Sequence, residues 1–329
     1  MSQDYKHISV LLDEVIEFLN PSSNQNYIDL TLGGGGHSGA ILAKTGPKGK
    51  VLAFEMDTRA INAAKNNLSE YLPTGQAGRD RLIIVNSSYI NLETEVKNKD
   101  IKNISGIVAD LGLSSDQLDK ADRGFSFKDH GPLDMRFDPN GQTPTASDIV
   151  MNSTEAQILK IFREYGEVKQ AKRLARGLVL WRKDLGKQKQ KSIKTSMLVN
   201  AILRILNIKE ESLKRFRIHP ATQVFQALRI AVNDELNNLQ KVLPQAYNIL
   251  SPGGRLAIIT FHSLEDRIVK HYFKNLSKGC ICPPETPVCR CNNQAKVKLI
   301  TKKAIKALPK EVDKNFRSRS AILRVIEKI

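Results

Sequence analysis

Short apolar, β-rich runs separated by helical stretches constrain this chain more than any other feature. Residues 27–32, 50–55, 81–85 and 104–110 are such runs, and residues 58–68 between the second and third read as a helix. This alternation implies βαβ units and a parallel sheet. Residues 9–19 precede it as an amphipathic helix that Pro21 closes. The rhythm then stops. Residues 111–140 are rich in Gly, Asp and Ser, as a long loop is, and residues 145–215 read as helices. Ser153-Thr154-Glu155-Ala156 supplies a capping signal there. The α/β pattern resumes at Pro220, with one or two long helices over 221–250 and a turn at Ser251-Pro252-Gly253-Gly254. A buried strand at 255–261, a helix at 264–276 and a closing strand at 320–326 complete it. The expectation is an α/β doubly wound sheet interrupted by a helical insert. Its segments are a core over 1–115, a loop and basic helical insert over 116–217, and the rest of the core over 218–329, with a Cys-rich loop at 280–291.

With 41% apolar and 26% charged residues, the chain has the composition of a packed globular protein and not a disordered one. No uncharged apolar run comes near the roughly 18 residues of a membrane span, so no membrane partner is expected. The opening residues 1–7 lack the basic and apolar regions of a secretory signal. The four cysteines all lie between Cys280 and Cys291, so nothing staples the rest, and a reducing, cytoplasmic location fits.

The net charge of +17 is unevenly spread. Residues 160–217 carry 17 basic and 5 acidic side chains, and residues 292–329 carry 11 and 3, leaving −3 for the remainder. Two basic segments on a near-neutral body attract a polyanion, with nucleic acid leading, against the alternative of a lysine-rich surface kept for solubility. Aromatic residues are few in the first segment, which favours gripping a phosphate backbone over stacking bases.

Asp29-Leu30-Thr31-Leu32-Gly33-Gly34-Gly35-Gly36-His37 follows the first strand and opens a helix. Glycines there let a backbone approach a ligand, and a helix start adds oriented N–H donors. Glu55, 20 positions past Gly35, ends the second strand, where a carboxylate can accept ribose hydroxyls. Nicotinamide and S-adenosylmethionine sites share this layout. Ser38 stands where a third glycine would complete the dinucleotide spacing, and Asp29 can meet the ammonium of S-adenosylmethionine. Cys280-Ile281-Cys282 and Cys289-Arg290-Cys291 form a C-x-C pair of pairs. Four such thiolates can hold one tetrahedral zinc, or they stay a reduced loop that pairs only on oxidation; C-x-x-C is the commoner zinc spacing.

Longer blocks carry a resemblance. They are Asp110-Leu111-Gly112-Leu113-Ser114-Ser115-Asp116-Gln117-Leu118, Arg123-Gly124-Phe125-Ser126-Phe127 and Gly131-Pro132-Leu133-Asp134-Met135-Arg136-Phe137. His219-Pro220-Ala221-Thr222, Phe225-Gln226-Ala227-Leu228-Arg229-Ile230 and Phe261-His262-Ser263-Leu264-Glu265-Asp266-Arg267 add to them, with matches at 7–14 and 317–325. Across nearly its whole length the chain resembles the bacterial 16S rRNA (cytosine-N4) methyltransferases of the RsmH or MraW type. That resemblance implies a class I, Rossmann-like S-adenosylmethionine-dependent methyltransferase core with a helical insertion. It implies methylation of the exocyclic amine of one cytosine in small-subunit rRNA, in the decoding region. Carried over by position, the cofactor contacts fall on Gly35, Gly36, His37, Glu55, Tyr89, Asp110 and Gln117. Glu55 stands where Asp is usual and Tyr89 where Phe is usual.

The cytosine amine is a poor nucleophile, so a proton acceptor must face it in line with the methyl group. Other amino-methyltransferases use an Asp/Asn-Pro-Pro-aromatic turn after the fourth strand, whereas here that turn reads Asp110-Leu111-Gly112-Leu113. Asp134 or Asp110 is the expected acceptor. The competing reading makes Asp134 a helix cap or a partner of Arg136. His219 and His262 are weaker candidates, His219 being equally a helix starter. The target base must be unstacked, with Lys187, Lys189, Lys191 and Lys194 gripping nearby phosphates. The rival functions are a non-catalytic rRNA-binding assembly factor and an NAD-dependent oxidoreductase. The oligomeric state stays open.

Overall fold

Side chains along the second strand alternate between two apolar layers. Leu52 and Phe54 enter one, and Val51 and Ala53 the other. A strand buried on both faces reads as a continuous apolar run, which is why the sequence shows runs and not alternation. The structure is a computed structural model that describes residues 9–71, 80–113, 117–118, 121–127, 130–187, 192–283, 285–286 and 288–329. It divides into two compact units, one of Met1–Gly112 with Leu236–Ile329 and one of Leu113–Glu235.

The first unit holds an eight-stranded sheet of β1 (Asn26–Asp29), β2 (Val51–Glu55), β3 (Leu82–Asn86), β4 (Ile104–Asp110), β5 (Leu250–Thr260), β6 (Val297–Leu299), β7 (Ile305–Lys306) and β8 (Ile322–Lys328). Its order is β3-β2-β1-β4-β5-β8-β6, with β7 paired to β8. β3 through β5 run parallel, and β8 is antiparallel to β5, β6 and β7. This is the doubly wound α/β architecture expected. One face is covered by Leu239, Val242, Leu243, Val269 and Phe273 from the helices Glu235–Ile249 and Ser263–Leu276. The other is covered by Val15, Leu19, Ile41, Leu42, Ala64 and Leu68 from Leu12–Leu19, Gly36–Thr45 and Thr58–Leu68. Each of these side chains other than Ala64 contributes roughly 1.5–3 kcal/mol of apolar burial.

The expected turn at Ser251–Gly254 appears as a register jump inside β5. Ile104 pairs with Leu250, but Gly106 pairs with Arg255. The helix expected over 9–19 starts later, because Leu11 adopts a left-handed φ of 52°. The long helical stretch after Pro220 is two helices, Pro220–Asn233 and Glu235–Ile249, parted by Asp234 at φ 50°. The helix Leu92–Asn98 and the short strands β6 and β7 carried no sequence signal strong enough to be expected.

The second unit is helical. Ala146–Asn152, Glu155–Glu164, Ala171–Lys187, Thr195–Leu206 and Pro220–Asn233 pack Val150, Ile158, Phe162, Leu174, Leu178, Leu198, Ile202, Val224 and Leu228 into one core. A capping box between Thr154 and Gln157 starts Glu155–Glu164, at the place the capping signal marked. The segment 218–329 was expected to rejoin the sheet from its start. Instead, Pro220–Asn233 belongs to the helical unit, since its Ala221, Val224, Phe225 and Leu228 are buried in that core. Lys189 and Lys191, Ser114-Ser115-Asp116 and His7 lie outside the described residues. Among the described residues, no helix is long and apolar enough to cross a membrane.

Gly106 lies opposite Tyr27 in the sheet, and a Cβ there would meet the Tyr27 ring at 2.4 Å. Tyr27 is fully buried, so the ring cannot swing to solvent. Gly106→Ala should therefore destabilise the protein by about 1–3 kcal/mol, read from the urea midpoint, as over-packing does.

Candidate active site at the strand ends

The glycine run forms a tight turn between β1 and its helix. Leu30 N donates to Val108 O and Leu32 N to Phe54 O, so the chain stays between β4 and β2 before it turns. Gly35 N then donates to Leu32 O at 2.8 Å, with Gly35 at φ 85°. A side chain at Gly35 would be strained and would meet Leu68 at 2.9 Å. Gly36 begins the helix Gly36–Thr45. His37, in its first turn, is buried with Nε2 3.0 Å from Val10 O, which anchors the helix start to the N-terminal segment.

Glu55 ends β2 and turns back over the glycines. Its Oε2 accepts from Gly33 N at 3.1 Å, and Oε1 accepts from Met56 N and Asp57 N at 2.8 and 2.9 Å. Burial pushes its carboxyl up, while the Asp57, Gly33 and Met56 N–H groups pull it down. A carboxylate has about four acceptor positions. Three are used, so Glu55 keeps capacity for one more donor.

Three carboxyls meet beside this turn. Asp29, at the end of β1, is buried and accepts from Ser38 Oγ at 2.7 Å and Thr31 N at 3.0 Å. Burial raises its pKa, with His37, Ser38 and Thr31 acting against it. Asp110 ends β4, and its N–H donates to Thr31 Oγ1 at 2.6 Å, tying the two strand ends together. The Asp110 side chain is 21% exposed overall, yet its Oδ1 is sealed from solvent without a hydrogen-bond partner. Its Oδ2 lies 4.0 Å from His37 Nδ1. Burial first, then the charges of Asp29 and Glu265, push the Asp110 carboxyl up to about 8. Glu265, from the helix after β5, is buried and accepts from Phe261 N at 2.9 Å.

The other expected residues are placed as follows. Tyr89 opens the short turn Tyr89–Asn91 and is half-buried against the sheet's core. Gln117 is buried within the second unit. Asp134, in the same unit, grips Arg136 with both oxygens: Oδ1 accepts from Nε and Oδ2 from Nη2, each at 2.8 Å. That is the structural role weighed against catalysis. His219 caps the helix Pro220–Asn233 through Nδ1 and stacks on Phe127 at 4.8 Å. His262 caps Ser263–Leu276, with Nδ1 accepting from Glu265 N. The Sγ atoms of Cys280, Cys282, Cys289 and Cys291 all lie within 4.8 Å of one another.

The model of the MraW methylase family matches residues 4–329. The chain belongs to the MraW methylase family. A Heliobacterium mobile protein named ribosomal RNA small subunit methyltransferase H is 44% identical over 327 residues, covering 99% of this chain and 100% of its own length. The protein of that name from Clostridioides difficile (strain 630) is 44% identical over 330 residues, with the same coverage. Among solved structures, an rRNA methylase from Streptococcus thermophilus is similar at 11% identity with a TM-score of 0.40, covering 97% of this chain and 93% of that one. At that level the membership rests on the sequence relatives.

Within this MraW-family site, sequence reasoning assigned no role to Thr31 or Glu265. Glu265 was visible only as an acid near a helix start, after His262. Its effect on Asp110 needs β4 and β5 to be neighbours, which only the fold supplies. The raised Asp110 carboxyl has a thermodynamic consequence. Between about pH 4 and pH 8 the folded chain holds a proton that the unfolded chain has lost, so stability falls as pH rises through that window. The slope is on the order of 1 kcal/mol per pH unit for one group. Urea unfolding from pH 5 to pH 8 should show this loss, and Asp110→Asn, which cannot ionise, should flatten it.

Proposed function

We propose that this chain transfers a methyl group from S-adenosylmethionine to the exocyclic N4 amine of a cytosine in 16S rRNA, in the decoding region of the small ribosomal subunit, in the cytoplasm. The full-length family match, residues 4–329, carries this reading. The methyl donor supplies an electrophilic sulfonium carbon. The residues fit such a ligand. Gly35 and Gly36 keep the turn free of side chains, and Glu55 retains an acceptor position for a ribose hydroxyl. Tyr89 offers an aromatic face for the adenine, and His37 and Asp110 complete the proposed contacts within the first unit. The sealed Oδ1 of Asp110 has an unused hydrogen-bonding position facing this site.

Asp110 is also our choice of proton acceptor. An acceptor works best with a pKa near the working pH, and Asp110 is pushed to about 8. Asp134 is the weaker choice because Arg136 holds both its oxygens. In the second unit, Lys160, Arg163, Lys172, Arg173, Arg176 and Lys183 are exposed, as are Lys194 and the run Lys214-Arg215-Phe216-Arg217. These are the proposed phosphate contacts.

Small subunits from a strain lacking this enzyme, incubated with protein and methyl-labelled S-adenosylmethionine, should gain one N4-methylcytosine in 16S rRNA. Absence of label, with S-adenosylmethionine still bound, would leave an assembly factor; binding of NAD instead would leave an oxidoreductase. Asp110→Asn should cut turnover by about 10²-fold or more, and Asp134→Asn by far less per folded molecule. Replacing Lys172, Arg173, Arg176 and Lys183 by Ala should weaken rRNA binding and flatten its log–log salt slope by about 3, since each phosphate contact contributes roughly 0.7–0.9.

A further inference from the structure

Residues 277–296 join the helix Ser263–Leu276 to β6, and the described residues among them form neither helix nor strand. Lys296 N donates to Leu276 O at 2.8 Å and Asn293 Nδ2 to Lys278 O at 2.7 Å, which closes the base of the loop. Among the described residues of the tip, no apolar side chain is buried. Ile281 is 60% exposed and Val288 69% exposed. A long loop held neither by apolar burial nor by a ladder needs another clamp to keep one shape.

The thiols are arranged as such a clamp. Cys280 Sγ lies 3.5 Å from Cys289 Sγ, Cys289 Sγ 3.6 Å from Cys291 Sγ, and Cys291 Sγ 3.7 Å from Cys280 Sγ. A tetrahedral ion with Zn–S bonds near 2.3 Å sets sulfur–sulfur edges of about 3.8 Å. Disulfides would need about 2.05 Å. Each C-x-C arm also donates a backbone N–H to a sulfur of the other. Ile281 N reaches Cys291 Sγ and Arg290 N reaches Cys282 Sγ, both at 3.4 Å. Crossed N–H···S bonds of this kind spread the negative charge of bound thiolates. C-x-C spacing, the uncommon feature of the sequence, is accommodated because the two arms face one another and share a single centre.

We propose that Cys280, Cys282, Cys289 and Cys291 bind one zinc ion as a closed tetrathiolate. The metal displaces the four thiol protons, with no change of oxidation state. Four protein ligands leave no open position, so the ion staples the loop and takes no part in methyl transfer.

Full-length protein, expressed with zinc and purified in reductant without chelator, is the sample for elemental analysis. About one equivalent of zinc is expected. Less than a tenth of an equivalent, iron in its place, or two disulfides by intact mass would overturn the proposal. Cys280→Ser with Cys289→Ser should lose the zinc while far-ultraviolet circular dichroism stays unchanged; retained zinc would place the ion elsewhere. If that variant fails to fold, wild-type protein stripped of metal and refilled with Co²⁺ alone decides. The visible bands and sulfur-to-metal charge transfer of a tetrahedral tetrathiolate are expected, and their absence overturns the site.

Discussion

The crowding of Asp29, Asp110 and Glu265 is the interaction on which the candidate site depends. Three carboxyls in so dry a place cannot all ionise, because burial disfavours each charge and each charge disfavours the others. Asp29 has compensation from Ser38 and Thr31, and Glu265 from the Phe261 N–H. Asp110 has the least, with Oδ1 unpartnered, and its carboxyl is pushed up to about 8. The strand order makes this unavoidable. β1, β4 and β5 are adjacent and parallel, so whatever follows their carboxyl ends is gathered in one place. The sheet also reverses its build direction between β1 and β4, the position at which such sheets open a crevice for ligands.

Much of this fold was legible in the sequence, for a specific reason. Strands buried on both faces appear as apolar runs, and β2 and β4 fall where the runs at 50–55 and 104–110 placed them. Thr58–Leu68 falls where residues 58–68 read as a helix, and the structure adds an Asp57 cap that accepts from Arg59 N. What escaped depends on distant partners. β6 and β7 are short strands that exist because β8 supplies a ladder for each. Pro220–Asn233 looked like the return to the sheet because helices follow Pro220 in either case. Only the burial of Val224 and Leu228 among helical neighbours assigns it to the second unit.

The site divides along the same line. The glycine turn is local, so its place between β1 and a helix was readable from the residues. Glu55 was readable from the length of one βα unit, but its bonds to Gly33, Met56 and Asp57 were not. Asp134 shows the limit most plainly. Two residues from Arg136, it had two roles of equal merit on paper, and its two-oxygen pairing with that guanidinium shows only in the side-chain geometry. The state of Asp110 was beyond reach, since Glu265 comes from the far side of the helical insertion.

The two units therefore work in opposite electrostatic regimes. Exposed lysines and arginines of the helical unit act through water, where attraction for phosphates is broad, tolerant of single losses and weakened by salt. The carboxyls at the strand ends are largely withdrawn from water, where burial and an unpaired oxygen shift a proton's affinity strongly. Basic charge within the carboxyl cluster would ionise Asp110 and end its poise near neutral pH. Of the two basic segments, 160–217 lies in the helical unit and 292–329 in the unit that holds the carboxyls.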